Sequence, residues 1–184
     1  MKKNVLKSLA CLMLICMAWS CSSESETVMS NQETTARDFR EKSGESIWDG
    51  EIGIVDEDGN FVITANQAVL YNEFAGMLEQ KGNFTKLSSL NIQSRIADND
   101  PSETGYFLIA SGVDEDNMAT SIGVMLTNMS GFFYLGTPSP EGDPLDVSCR
   151  GCGMGCFLKF YIIGKARVPY CDSAGCGPIC EKQE

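Results

Sequence analysis

Histidine is absent from this 184-residue chain. Imidazole catalysis, imidazole metal ligation and histidine pH switching are excluded together. Bases are scarce: 14 Lys and Arg against 25 Asp and Glu give a net charge of −11. A polyanion is repelled by that field, so nucleic-acid binding is excluded as a function class. Beyond the first twenty residues, no apolar run approaches the ~18 residues of a membrane-crossing helix. No G-x-S-x-G, P-loop or G-x-G-x-x-G motif is present. Without histidine, a Ser or Cys nucleophile needs Lys or a carboxylate as its base. Lys159 and Lys165 lie near late cysteines, but long side chains on a hairpin are read as solvated. Asp56 and Asp58 read as turn residues, not as a glycosidase pair. We therefore expect no enzyme, nominate no catalytic residue and expect no cofactor.

Hydrophobic residues make up 43% of the chain, which is ordinary globular usage and excludes wholesale disorder. The length suits one domain with tails. Lys2, Lys3 and Lys7 precede an apolar run from Leu9 to Trp19, which reads as an export signal over residues 1–20. Ala18-Trp19-Ser20-Cys21 resembles the lipobox of bacterial lipoproteins, with Ala18 in place of the usual Leu and Trp19 in place of a small residue. The resemblance implies that Cys21 carries lipid (palmitate-type acyl chains) and becomes the mature N-terminus. Cys21-Ser22-Ser23-Glu24-Ser25-Glu26 is similar to the Ser/acidic start of surface-exposed lipoproteins of the Bacteroides group. The implied location is the cell envelope, lipid-anchored in the outer membrane and surface-exposed. Ala-x-Ser also suits ordinary signal cleavage, so a soluble secreted or periplasmic protein is the alternative. Loss of residues 1–20 would take the net charge from −11 to −14.

Residues 21–46 are rich in Ser, Glu, Thr, Asn and Gln and read as an acidic flexible tether. Ile47 and Trp48 open an α+β domain expected over 47–137. Glu51–Val55 and Phe61–Thr64 read as a hairpin around Asp56-Glu57-Asp58-Gly59-Asn60. That loop lacks the spaced ligands of a calcium site. A helix is expected over 65–81, with Thr64 and Gln67 as a capping box, Leu70, Phe74, Met77 and Leu78 on one face, and Gly82 as the stop. Four strands follow, at Leu90–Ile96, Tyr106–Ala110, Ile122–Leu126 and Phe132–Leu135. Asn99-Asp100-Pro101, Asp114–Asn117 and Asn128–Gly131 read as the turns between them. Short links favour an antiparallel meander with the helix across one face. The element order is similar to that of cystatin-like folds, a likeness of topology alone. It brings protease inhibition as a third function class, and no cystatin motif accompanies it.

After a Pro/Gly-rich break at Pro138–Pro144 come Cys149, Cys152, Cys156, Cys171, Cys176 and Cys180. This is the densest signal in the chain, and it defines a cysteine-rich C-terminal module over 138–184. The leading reading is three disulfides, since an exported chain meets an oxidising compartment and six is an even number. The two groups, 149–156 and 171–180, flank a hairpin of Phe157–Ile163 and Ala166–Tyr170 turning at Gly164 and Lys165. Bridges between the groups would clamp its open end; fifteen pairings are open. A second reading is metal, zinc or iron–sulfur, because Cys149-x2-Cys152 with Cys171-x4-Cys176 roughly resembles zinc-ribbon knuckles. A third is a redox dithiol at Cys149-Arg150-Gly151-Cys152, where Arg150 would favour a thiolate. Asp172-Ser173-Ala174 resembles the O-glycosylation sequon of Bacteroides-type exported proteins, which implies a modified Ser173. Asn83-Phe84-Thr85 and Asn128-Met129-Ser130 match the N-glycosylation pattern, which a bacterial lipoprotein would not ordinarily use. The expected function is a non-enzymatic, lipid-anchored binding module. Its partners would be the membrane, through lipid, and an envelope or host macromolecule or glycan.

Overall fold

The computed structural model describes residues 46–136, 145–153, 156–173 and 175–183. The export segment, Cys21, the tether up to residue 45 and the break at 138–144 lie outside the described residues. Ser46 starts one 3-10 turn, Ile47–Asp49: its hydroxyl accepts from the Trp48 N–H (3.3 Å), and the Asp49 carboxylate accepts from the Ser46 N–H (3.1 Å). The turn drives Trp48 inward, edge-on to Phe74 with ring centroids 5.7 Å apart. Strands β1 (Glu51–Val55) and β2 (Phe61–Ile63) form the expected hairpin. The acids in its loop serve the loop itself: Asp56 accepts from the backbone N–H groups of Asp58 (3.0 Å) and Asn60 (2.7 Å).

Helix α1 is Gln67–Gln80, shorter than expected at its start. Asn66 is its cap, accepting from the N–H groups of Ala68 (3.1 Å) and Val69 (3.3 Å). Thr64 does not cap the helix, because the N–H groups of Thr64 and Ala65 still bond the Ile52 carbonyl and keep the chain with the sheet. The Thr64 hydroxyl donates to Glu51 instead (2.7 Å). At the other end Gly82 takes φ +74°, and the N–H groups of Gly82 and Asn83 close onto the carbonyls of Glu79 and Leu78, both at 2.9 Å. That is the glycine stop expected from the sequence.

Three of the meander strands are longer than the sequence suggests, β3 being Thr85–Ala97, β4 Asp100–Asp114 and β5 Ala119–Met129, whereas β6 is Phe132–Leu135 as expected. Their outer thirds hold Ser, Thr, Asn and Lys, which break the apolar alternation while backbone pairing continues. Pro101 lies inside β4, one residue from its start; only Asp98 and Asn99 make the turn. At the rim of a sheet a missing N–H costs no ladder bond.

The strands run β2-β1-β6-β5-β4-β3, all antiparallel. The sheet curls until β2 approaches β3, and the Ile92 side chain reaches Gly53 of β1. Strand β5 has a shared edge: Leu126–Met129 pair with β6, whereas Ala119–Val124 pair with β7 (Asp146–Gly151). Strand β10 (Glu181–Gln183) then adds to β7. Residues assigned to the C-terminal module thus complete the main sheet.

Both faces of the sheet centre are buried. On one, Leu70, Phe74 and Leu78 of α1 meet Leu108, Ala110, Ile122, Val124 and Phe133, with Trp48 beside them. On the other, Phe107, Ile109, Val147 and Cys149 meet Leu158 and Phe160 of a second, two-stranded sheet, β8 (Phe157–Ile163) and β9 (Ala166–Asp172). Each fully buried side chain of this size contributes about 1.5–3 kcal/mol. The result is three layers: helix, curled sheet, cysteine-rich hairpin. The hairpin turns at Gly164 and Lys165 as expected, with Gly164 at φ +61°. Its β8 edge is occupied by the turn between β3 and β4. Asn99 accepts from the Ile162 N–H (2.8 Å) and donates to the Ile162 carbonyl (2.7 Å), and the Asp98 N–H donates to the Phe160 carbonyl (3.1 Å).

Candidate functional site

The six late cysteines are all oxidised and pair across the two groups in sequence order. Cys149 bonds Cys171, Cys152 bonds Cys176 and Cys156 bonds Cys180, with Cα separations of 5.6, 5.4 and 5.3 Å. These separations are the normal span of a cystine. Each bridge joins different elements. Cys149 lies in β7 and Cys171 in β9, so the first bridge sews the hairpin to the main sheet through its buried interface. The second joins the segments following β7 and β9. The third ties the residue before β8 to the residue before β10. Gly151 is needed here: a Cβ on it would come 2.5 Å from Cys156 Cβ.

This pairing removes the thiolates that a metal or a dithiol would require. Among the described residues no group of three or more His, Cys, Asp or Glu side chains is arranged to hold a metal ion. Cys149 and Cys152 do not close on each other, so the Cys-Arg-Gly-Cys sequence is no redox dithiol in this state. Arg150 does not face a sulfur. On a strand, neighbouring side chains point to opposite faces, and its guanidinium bonds Asp114 (2.5 Å) and Asp116 (2.6 Å).

Two charge clusters accompany the bridges. Burial pushes the Asp114 carboxyl up, but hydrogen bonds from Arg150 and from the Met118 and Asp116 N–H groups outweigh it, so its pKa lies below the usual range. The Asp114 hydrogen bond, with help from Asp116, raises Arg150 further. At the far end, Lys159 bonds Asp172 (2.6 Å) and lies 3.6 Å from Asp98, and the Tyr170 hydroxyl donates to Asp98. Burial and that bond push the Tyr170 pKa up to about 12. Lys159 is thus ion-paired, not freely solvated, and its pKa is raised by its bond to Asp172. Lys165 sits exposed in the turn, as expected.

Ser173 is exposed beside the end of β9. Asn83 is 5% exposed; its amide donates to Gln183 (2.8 Å) and accepts from Thr85 (2.5 Å), so the side chain is not open to glycosylation. The Asn128 side-chain Oδ1 accepts from the Gly131 N–H (2.9 Å) in the β5–β6 turn. Asn83 and Phe84 border two shallow depressions of about 300 and 270 Å³.

Sequence reading did not find a line of apolar side chains crossing four strands. Met129 of β5 pairs with Phe132 of β6, Phe132 with Ile54 of β1, and Ile54 with Val62 of β2. Directly paired residues share a face. Three of the four are exposed, at 53% for Met129, 45% for Phe132 and 40% for Val62. They occupy the face that bears the β8–β9 hairpin, beyond the part it covers. The next row holds Thr127, Tyr134 and Glu51. The sequence carried the β-strand signal of Phe132–Leu135 but not the register that places these residues abreast.

Compared with family models, with curated proteins and with solved structures, the chain matches none.

Proposed function

We propose that this chain is a lipid-anchored envelope protein, attached through Cys21 and held out on an acidic tether, whose disulfide-stabilised α+β domain is a binding module. The carrying observation is that all six late cysteines are paired in three bridges. Bridges of this density belong to chains that fold outside a reducing cytoplasm. The lipobox-like Ser20-Cys21 and the basic, apolar start support export and anchoring. Lipid chains on Cys21 would supply the membrane affinity, since each buried methylene contributes about 0.8 kcal/mol. Among the described residues no helix is long and apolar enough to cross a membrane. The binding role rests on the chemistry around the bridges: sulfurs locked in disulfides, and Arg150 and Lys159 held in ion pairs. The partner is an envelope or host macromolecule or a glycan; the exposure of Ser173 is compatible with an O-glycan there.

The test is metabolic labelling with an alkyne fatty acid in a bacterial host, followed by fractionation. The parent chain is expected to take up label and to sediment with the envelope. Cys21→Ser should lose the label and move to the soluble fraction. An unlabelled parent chain would overturn the anchoring.

A further inference from the structure

The line Met129–Phe132–Ile54–Val62 spans three inter-strand gaps, about 14 Å at the usual strand spacing. Large side chains in contact on an exposed sheet face mark an interaction surface more often than scattered ones do. The strands that carry them, with the loop joining β1 and β2, hold charge of one sign. Strands β1, β2, β5 and β6 and the β1–β2 loop hold Glu51, Asp56, Glu57 and Asp58 and neither Lys nor Arg. The first base after Ser46 is Lys81. Glu51 lies in the row beside the apolar line, and the 56–58 loop projects from the strand ends at its other side.

We propose that this face docks a cationic amphipathic peptide, its apolar side chains across Met129, Phe132, Ile54 and Val62 and its Lys or Arg groups against Glu51 and the Asp56–Asp58 loop. The proposal deepens the binding-module reading and rests on it. Charge complementarity selects the occupant: apolar area supplies affinity, and opposite charge at the rim supplies approach and register. An anionic lipid surface would meet four carboxylates, so a membrane is disfavoured. A second copy would bring the same acids face to face. The short β2 edge and the exposed row favour a helix laid across the strands, presenting residues at i, i+3, i+4 and i+7.

The experiment uses the mature chain with its bridges intact and a synthetic 18-residue amphipathic Leu/Lys peptide, titrated by fluorescence anisotropy. A Leu/Glu peptide of the same pattern is the control. Saturable binding of the Leu/Lys peptide is expected, weakening at least tenfold in Phe132→Ser and in Met129→Lys. Glu51→Gln with Asp58→Asn should weaken it several-fold and flatten its salt dependence. The altered residues are exposed apart from Glu51, and circular dichroism checks that each variant folds. Equal binding of the Leu/Glu peptide, or affinity unchanged in Phe132→Ser and Met129→Lys, would overturn the proposal. So would binding of the mature chain to anionic vesicles, or dimerisation, that those two variants abolish. None of these outcomes touches fatty-acid labelling at Cys21, so failure here and failure of anchoring are separable.

Discussion

Asp114 is bound by two backbone N–H groups and a guanidinium while its side chain is only 5% exposed. Removing Arg150 leaves that carboxylate short of its strongest partner. Arg150→Met is expected to cost about 2 kcal/mol at neutral pH. The pH dependence has a definite sign. The folded pKa of Asp114 is lowered, so its contribution is complete above the unfolded value of about 3.9. It is lost as pH falls through the folded value. Urea unfolding of parent and variant should therefore converge as the pH is lowered toward 2; a gap independent of pH would contradict the assignment. None of this was legible in the sequence. Arg150 and Asp114 are 36 residues apart, and Arg150 stands between Cys149 and Cys152 in the chain, which suggested a thiolate partner. By contrast, Gly82 was legible, because a helix stop is written in adjacent residues.

At the scale of elements, local signals were read well and lengths poorly. The hairpins at β1–β2 and β8–β9 announce themselves by a turn between apolar runs. The polar ends of β3 and β4 look like loop, since their pairing is dictated by each other and not by burial. The choice of Asn66 over Thr64 as helix cap was hidden for a similar reason: a tertiary bond to the Ile52 carbonyl decides where the sheet lets go. Asn99 is the clearest case of one side chain standing in for a strand. It satisfies both backbone groups of Ile162, and an edge left open invites pairing with other chains. Asn99→Ala is expected to speed hydrogen exchange at the Ile162 amide at least tenfold. Stability should fall by only about 1 kcal/mol, because water replaces the lost partners. Unchanged exchange at that amide would show that the clasp is not what protects it.

For the molecule as a whole, the bridges between the two cysteine groups were legible, and their order was not. Six cysteines allow fifteen pairings, and the choice depends on which sheet face the hairpin covers. The fold settles it by burying Cys149 completely between β7 and the hairpin, whereas Cys152 and Cys180 stay partly exposed. Graded reduction with timed alkylation and peptide mapping is therefore expected to open Cys152–Cys176 or Cys156–Cys180 first and Cys149–Cys171 last. Replacing Cys149 and Cys171 together by Ala should cost about 3 kcal/mol. First opening of Cys149–Cys171 would contradict the buried placement. The alternatives kept open by composition, metal and dithiol, differ from the observed state by these bonds.

The pairing order has a consequence for how the chain is made. A polypeptide leaves a ribosome or a translocation channel N-terminus first. Cys149, Cys152 and Cys156 then emerge together, before any of their native partners at 171, 176 and 180. An oxidant acting at that moment can join them only to one another or to a cysteine that precedes them, and none of these is a native partner. Such premature links must be undone by thiol exchange once the last residues arrive. Maturation of this protein is thus a problem of timing, and a disulfide isomerase, more than an oxidase, is the catalyst whose loss should lower its yield.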